Sequence, residues 1–518
     1  MPRGKVAGLL CVGLLAASCT SGRAHPAFRP SFAKVACPAD VASPILTPVS
    51  CGYLTVLENR SVSTGRTIRL FVTRVDPAGA SPRPDPMYVP GSDLADKVNY
   101  GGTAPMAERI NRQVIIMDQR GTGHSEPNLS CPELDPLAAH SLTVATDNSQ
   151  ARKDFVAAVT ACRERLQGRR IDLSAYNLEE MAADAEDLRI VLGIRQWGIT
   201  TLGTDSRIAL EIMRRYPQHI REVVLDGPEF PGVDPFTEAI TGTRDVLGQV
   251  ADACALDRAC ERSFPDLNAA TSQALLELSA KPLKVTVSSP GAGGGGSSVI
   301  LFDGGMLLRA LRQILSDGGS SGSSYLPSAL PATVYAALDG RVDTSPGSAA
   351  AGMVGDQAYC DGYMPKCTPI HRYAQGAYYS LLCHDLAQSI DRGAILASAG
   401  SDAAYGEAFA RSPYLDVCSA WGVGEGDPEV ARPLSSRIPT LIFLGRFDPY
   451  APSAIVEQAI GGLSRSWVVI DPTAGHNALG SSDCLRTIRA SWVENPTSAP
   501  TATGCLSGLK LTFEVPAT

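Results

Sequence analysis

Positive charge is in short supply in this chain. Lys and Arg total 45 against 53 Asp and Glu, which leaves a net charge of −8, and only 8 of the basic residues are lysines. A surface of that sign is unsuited to neutralising phosphates, so nucleic acid is excluded as a partner. Charged residues of all kinds make up only 19%, while hydrophobic residues reach 44%, so a sizeable core can be buried and wholesale disorder is excluded. Beyond the first 18 residues no apolar run is long enough to span a bilayer. The Gly/Ser tracts at 290–298 and 317–324 lack the Lys-Ser/Thr that a phosphate-binding loop requires, and they read as flexible loops. Cys360, Cys367, His371, Cys383 and His384 are too irregularly spaced for a zinc site, and no motif implies a metal or an organic cofactor.

What is present begins with an address. Arg3 and Lys5 precede an apolar run from Val6 to Ala17, the length of a signal-peptide core. The run closes on Leu15-Ala-Ala-Ser-Cys19, which resembles a bacterial lipobox with Cys19 as the lipid carrier, although Ala16 stands where that pattern prefers Leu. A small-x-small cleavage site at the same bond remains the alternative. Either way the reading is an exported protein, a cell-envelope lipoprotein held to the membrane by a lipid anchor, or a secreted one. Of 14 cysteines, removing Cys11 and Cys19 leaves 12, an even number that suits a disulfide framework in an oxidising compartment. Sequence neighbours pair as Cys37–Cys51, Cys131–Cys162, Cys254–Cys260, Cys360–Cys367, Cys383–Cys418 and Cys484–Cys505.

At 518 residues the chain exceeds a single average domain of roughly 100–200 residues. Short β-like runs at 52–57, 68–72, 87–89 and 113–117 are followed by a helix that Asn177 caps, with Glu180 three residues on as in a capping box. Strand-like runs at 196–202 and 222–225 flank a helix at 207–216 that Pro217 ends. This alternation predicts an α/β fold with a mostly parallel sheet flanked by helices. It stops for about 200 residues, and resumes at 439–444 and 467–470. The expected organisation is a signal peptide at 1–18, a tether at 19–36, core segments at 37–228 and 436–518, and a mostly helical lid inserted at 229–435.

Four segments then carry a resemblance: Asp118-Gln-Arg-Gly-Thr-Gly-His-Ser-Glu-Pro127, Met213-Arg-Arg-Tyr-Pro217 with Val223-Val-Leu-Asp-Gly227, Gly445-Arg-Phe-Asp-Pro449, and Ala474-Gly-His476. In this order they resemble the exported tripeptidyl-aminopeptidase and proline-iminopeptidase group of α/β-hydrolases, peptidase family S33. The resemblance covers roughly residues 37–232 and 380–505. It implies an α/β-hydrolase fold with a serine nucleophile on a Gly-x-Ser-x-Gly elbow, an acid after a late strand and a histidine after the last strand. Asp448 and His476 occupy the acid and base positions.

The nucleophile is absent. Trp197 and Arg207-Ile-Ala-Leu anchor an ungapped alignment that places Thr201-Leu-Gly203-Thr-Asp205 on the elbow, with Gly203 at the nucleophile position. The oxyanion run of the family is reduced to Val89-Pro-Gly91-Ser-Asp93, which leaves Gly91 and the Thr204 amide as the oxyanion region and brings Asp93 near it. A working enzyme loses about 3–4 kcal/mol of transition-state stabilisation for each such donor removed. The expectation is a catalytically silent relative that binds a peptide-like or small-molecule ligand, or a partner. The alternative is an active peptidase or esterase that uses Asp448 and His476 with Asp205, a relocated Ser206, or a His-activated water. His124 reads as a loop residue rather than a base. Asp385 is a candidate for capturing a substrate amino group, against the plainer reading of an exposed acid.

Overall fold

The computed structural model describes residues 28–42, 48–62, 65–79, 82–91, 103–145, 148–233, 235–289, 296–316, 327–344, 374–387, 393–395, 397, 405 and 414–516. The expected signal peptide with Cys11 and Cys19, and also Asp93, Cys360, Cys367 and His371, lie outside them.

β5 (Val114–Met117) and β10 (Thr440–Gly445) are buried at every position. Continuous apolar runs of this kind suit strands covered on both faces, where an alternating pattern would leave one face polar. With β1 (Ser31–Val35), β2 (Val49–Leu57), β3 (Thr67–Val75), β4 (Met87–Pro90), β6 (Trp197–Leu202), β7 (Ile220–Asp226) and β11 (Ser466–Asp471) they form one sheet in the order β1-β2-β3-β5-β4-β6-β7-β10-β11. β3 runs antiparallel between β2 and β5, and every pairing from β5 to β11 is parallel. An antiparallel strand near one edge, the exchanged order of β4 and β5, and an ordered parallel run afterwards together make the α/β-hydrolase fold. Parallel strands end on the same edge, so the loops after β6, β7, β10 and β11 gather at one place.

Helices Leu178–Val191 and Ser206–Arg215 cover one face of the sheet, burying Met181, Ala185, Leu188, Ile208 and Met213. Helices Thr103–Ile110 and Asp483–Trp492 cover the other. Asn177 caps the first of these helices as expected, accepting the Glu180 N–H at 2.9 Å. The reciprocal half of the box does not form, because Glu180 turns its carboxylate to the Arg60 N–H, 2.8 Å away.

The described residues of the inserted region are mostly helical, with one hairpin that the sequence did not announce. β8 (Leu283–Ser289) and β9 (Gly296–Phe302) pair as an antiparallel hairpin, so residues 296–298 of the Gly/Ser tract are strand rather than loop. The hairpin packs with helices Leu267–Ala280, Gly304–Ser316 and Leu330–Leu338 around an apolar core of the insertion's own. A second cluster joins helix Ser149–Gly168 to helices Gln375–Leu381 and Tyr414–Trp421. Five expected disulfides are present, Cys37–Cys51, Cys131–Cys162, Cys254–Cys260, Cys383–Cys418 and Cys484–Cys505. No helix among the described residues is long and apolar enough to cross a membrane.

Arg120, in the turn after β5, is fully buried and fixes that turn to the helix layer. It donates to both oxygens of Asp184 at 2.8 Å and to the carbonyls of Glu58 and Ala175 at 2.6 and 2.5 Å. Replacing it leaves Oδ2 of Asp184 and two carbonyls without this donor, while Oδ1 keeps Arg60 at 2.7 Å. Arg120→Met is expected to lose about 3–5 kcal/mol of stability, read as a lowered urea midpoint at unchanged slope.

Candidate functional site

Site geometry begins at the end of β6. Leu202 is extended, Gly203 turns left-handed at φ +55°, and a helical turn over Gly203–Asp205 leads into helix Ser206–Arg215. This strand–turn–helix is the shape that exposes a nucleophile on an α/β-hydrolase sheet. A Cβ built on Gly203 would lie 3.1 Å from Nε2 of His476. The structure therefore brings the glycine to the histidine.

His476 and Asp448 meet as the sequence predicts. Nδ1 of His476 lies 2.9 Å from Oδ2 of Asp448, which is fully buried. The other oxygen, Oδ1, accepts the N–H groups of Tyr450 at 2.8 Å and Ala451 at 3.0 Å. With Asp448 accepting at Nδ1, a neutral imidazole keeps its proton there and turns the Nε2 lone pair towards the elbow. Gly227, at φ +50°, makes the contact possible, since a Cβ there would sit 2.7 Å from both Asp448 Oδ2 and the His476 ring. Tyr450 meets the imidazole edge-on at 5.1 Å, and Arg312 lies 4.8 Å over the Tyr450 ring.

Several expectations need correction. Gly91 was expected in the oxyanion region, but its N–H is donated to the Met117 carbonyl at 2.8 Å, continuing the sheet. Thr204 directly follows Gly203, and its hydroxyl donates to Glu229 at 2.9 Å. Ser206 is no relocated nucleophile: its Oγ lies 2.6 Å from the Gly203 carbonyl and accepts the Glu229 N–H at 2.9 Å. Asp205 is buried two residues past the glycine, a rotation of about 240° around a 3₁₀ turn. Its charge acts instead on the buried Tyr88 hydroxyl, whose pKa is raised first by burial and also by Asp184 and Asp205.

His124 belongs to the loop after β5, ion-paired to Asp40 at 3.2 Å. Cys383 is disulfide-bonded to Cys418, so it offers no thiolate to a metal. The grouping of Cys131, Glu133 and Cys162 fails for the same reason, since its two sulfurs are bonded to each other.

Three contacts went unread in the sequence. Glu229 holds the elbow through Thr204 and Arg207. Leu315, in the insertion, accepts the backbone N–H of His476 at 2.7 Å. Asp226, at the end of β7, accepts the N–H of Leu479 at 2.9 Å. Only Asp226 had a signal in the sequence, an acid closing the apolar run Val223-Val-Leu225.

Asp385 is not the exposed acid expected of it. It is 4% exposed, accepts the Leu178 N–H at 2.6 Å and pairs with Nδ1 of His384 at 2.7 Å. Burial opposes charge on His384, but the Asp385 hydrogen bond and charge, with Glu179 and Asp172, outweigh it and raise the imidazole pKa. A raised pKa gives stability that is complete below the ordinary value of about 6.5 and is lost as pH rises through the folded value. Asp385→Asn is thus expected to lower Tm more at about pH 5.5 than at about pH 9. Scanning fluorimetry at both values checks this, and equal losses would assign Asp385 to helix capping alone.

With that geometry in place, sequence and structural matches can be set beside it. A family model described as TAP-like protein matches residues 402–505. Tripeptidyl aminopeptidase from Streptomyces coelicolor is 26% identical over 215 residues, which span 38% of this chain and 38% of that protein. Proline iminopeptidase from Mycobacterium smegmatis is structurally similar at a TM-score of 0.35 and 13% identity, covering 83% of this chain and 96% of that one. An α/β-hydrolase fold protein from Chitinophaga pinensis gives 0.34 and 12%, covering 83% and 94%. By its sheet order, its His–Asp pair and its sequence matches, the chain is an α/β-hydrolase-fold protein that resembles the tripeptidyl-aminopeptidase-like S33 family.

Proposed function

We propose that this chain is an exported, lipid-anchored α/β-hydrolase-fold protein that has lost serine acyl transfer and binds a peptide-like or small-molecule ligand, or a partner, in the cleft it retains. One observation carries the reading. At the nucleophile position of the elbow, Nε2 of His476 faces a glycine, whose missing Cβ would lie 3.1 Å from that nitrogen. Acyl transfer needs an oxygen there to attack a carbonyl and a base to take its proton. This site keeps the base and its acid partner and lacks the oxygen. The oxyanion side is weakened too, because the Gly91 N–H is already used within the sheet. In a triad enzyme stripped of its serine, oxyanion donors and substrate binding leave about 10³–10⁴-fold acceleration over water. With those donors reduced, the residue here falls below that. Support for a peptide-like ligand comes from the named activity of the Streptomyces coelicolor relative, and support for export from the signal-like N-terminus and the five disulfides.

A fluorophosphonate probe and panels of peptide-aminomethylcoumarins and p-nitrophenyl esters test the reading, with His476→Ala as control. The native chain is expected to show neither labelling nor turnover above that control. Gly203→Ser is expected to gain fluorophosphonate labelling, and Gly203→Ser/His476→Ala to lose it again. Native turnover that His476→Ala abolishes would overturn the proposal and favour a His-activated water.

A further inference from the structure

Asp226 closes β7, which lies between β6 and β10 in the sheet, in register with Leu202 on β6 and Phe443 on β10. It therefore stands between the strands that deliver the elbow and Asp448, and Gly227, the next residue, lies against the His–Asp contact. Its side chain is 2% exposed. One oxygen, Oδ2, accepts the N–H of Leu479, three residues beyond His476. The other, Oδ1, is buried with no hydrogen-bond partner. The charged groups that face it are His476 and Asp448 from the two late loops and Arg489 from helix Asp483–Trp492, itself flanked by Arg486 and Arg109. Nε of Arg489 is likewise buried without a hydrogen-bond partner, so charge is held near Asp226 without closing on it.

Keeping an acid at this position is costly. Burial is the largest influence on Asp226 and pushes its pKa up to about 7, against the Leu479 hydrogen bond and the His476 charge. A carboxyl whose folded pKa is raised costs stability as pH climbs from its ordinary range, about 4, to the folded value. An asparagine would accept the same N–H at no such cost. What an asparagine would not supply is negative charge behind the imidazole. Strongly perturbed groups that reduce stability are concentrated at functional sites.

We propose that Asp226 is a positioning residue for His476: it holds the histidine loop through the Leu479 N–H and, as a second carboxylate beside Asp448, raises the proton affinity of the imidazole. The inference rests on His476 and Asp448 being the working pair of the site, and not on whether the site turns over. Its consequence is a histidine whose readiness to hold a proton facing the Gly203 space depends on the ionisation of Asp226. Two groups that feel each other's charge titrate as a pair, so their protons leave in coupled steps.

The test uses the full chain labelled with ¹³Cε1-histidine, with the His476 signal assigned by its loss in His476→Gln. The native protein is expected to show a two-step titration of that signal. Asp226→Asn is expected to give a single step, with its midpoint lower by about half a pH unit or more, and a higher Tm than the parent at about pH 8. A merely structural Asp226 would move Tm and leave the His476 midpoint where it was, which would overturn the proposal. If Asp226→Asn does not fold, the native titration decides alone, and a single step there would refute it. Neither readout involves substrate, so the outcome is separate from that of the labelling experiment.

Discussion

One backbone hydrogen bond, from the N–H of His476 to the carbonyl of Leu315, joins the two halves of this molecule at its most consequential point. His476 is delivered by the core, on the loop after β11, while Leu315 sits in the last turn of the insertion's helix Gly304–Ser316. Carbonyls in a last helical turn have no partner within their own helix, so the bond satisfies a group that would otherwise be orphaned. Packing reinforces it. A Cβ on Gly475 would fall 1.9 Å from the Leu315 oxygen, so only glycine permits the approach. Phe447, just before Asp448, buries its ring in the insertion's own apolar core. The insertion is thus part of the foundation of the His–Asp pair.

Much of this was legible in the residues, and what was legible is local. Buried strands announced themselves by β-branched runs such as Val114-Ile-Ile-Met117, and Asn177 by its place before an apolar helix. Gly203, Asp448 and His476 were found because the family resemblance assigns roles to a strand–turn–helix and to two strand–loop positions that the local pattern fixes along the chain. What stayed hidden depends on distant partners or on backbone atoms. Leu315 contributes a carbonyl, which any residue would supply. Asp385 reads as a surface acid until a helix start 207 residues away, at Leu178, is seen to need its oxygen. The Gly91 amide looks available until Met117 is placed beside it. β9 was missed because its first residues are Gly296-Ser-Ser298, which carry no apolar alternation.

The elbow also shows why a silent site is physically easy to reach. A side chain held at φ near +55° carries roughly 1–2 kcal/mol of backbone strain, which an active serine must bear and a glycine does not. Loss of the nucleophile therefore relaxes the turn, whereas loss of Asp448 would strand two amides and an imidazole in the protein interior. The acid and base have structural reasons to be kept whether or not the site turns over. Their presence alone is poor evidence of turnover, and it explains how an intact His–Asp pair coexists with a glycine elbow.

The five disulfides join cysteines only 6 to 35 residues apart, and each joins a cysteine to the next one along the chain among those described. No bridge encloses or crosses another. Among these ten cysteines, a chain oxidised progressively from its N-terminal end thus meets each correct partner before a cysteine of the next bridge has emerged. Pairing can follow the order of emergence without waiting for β10 and β11 to reach their place beside β7 in the sheet. Covalent closure and assembly of the sheet are in this way independent of one another, and a shuffling catalyst would find little here to repair.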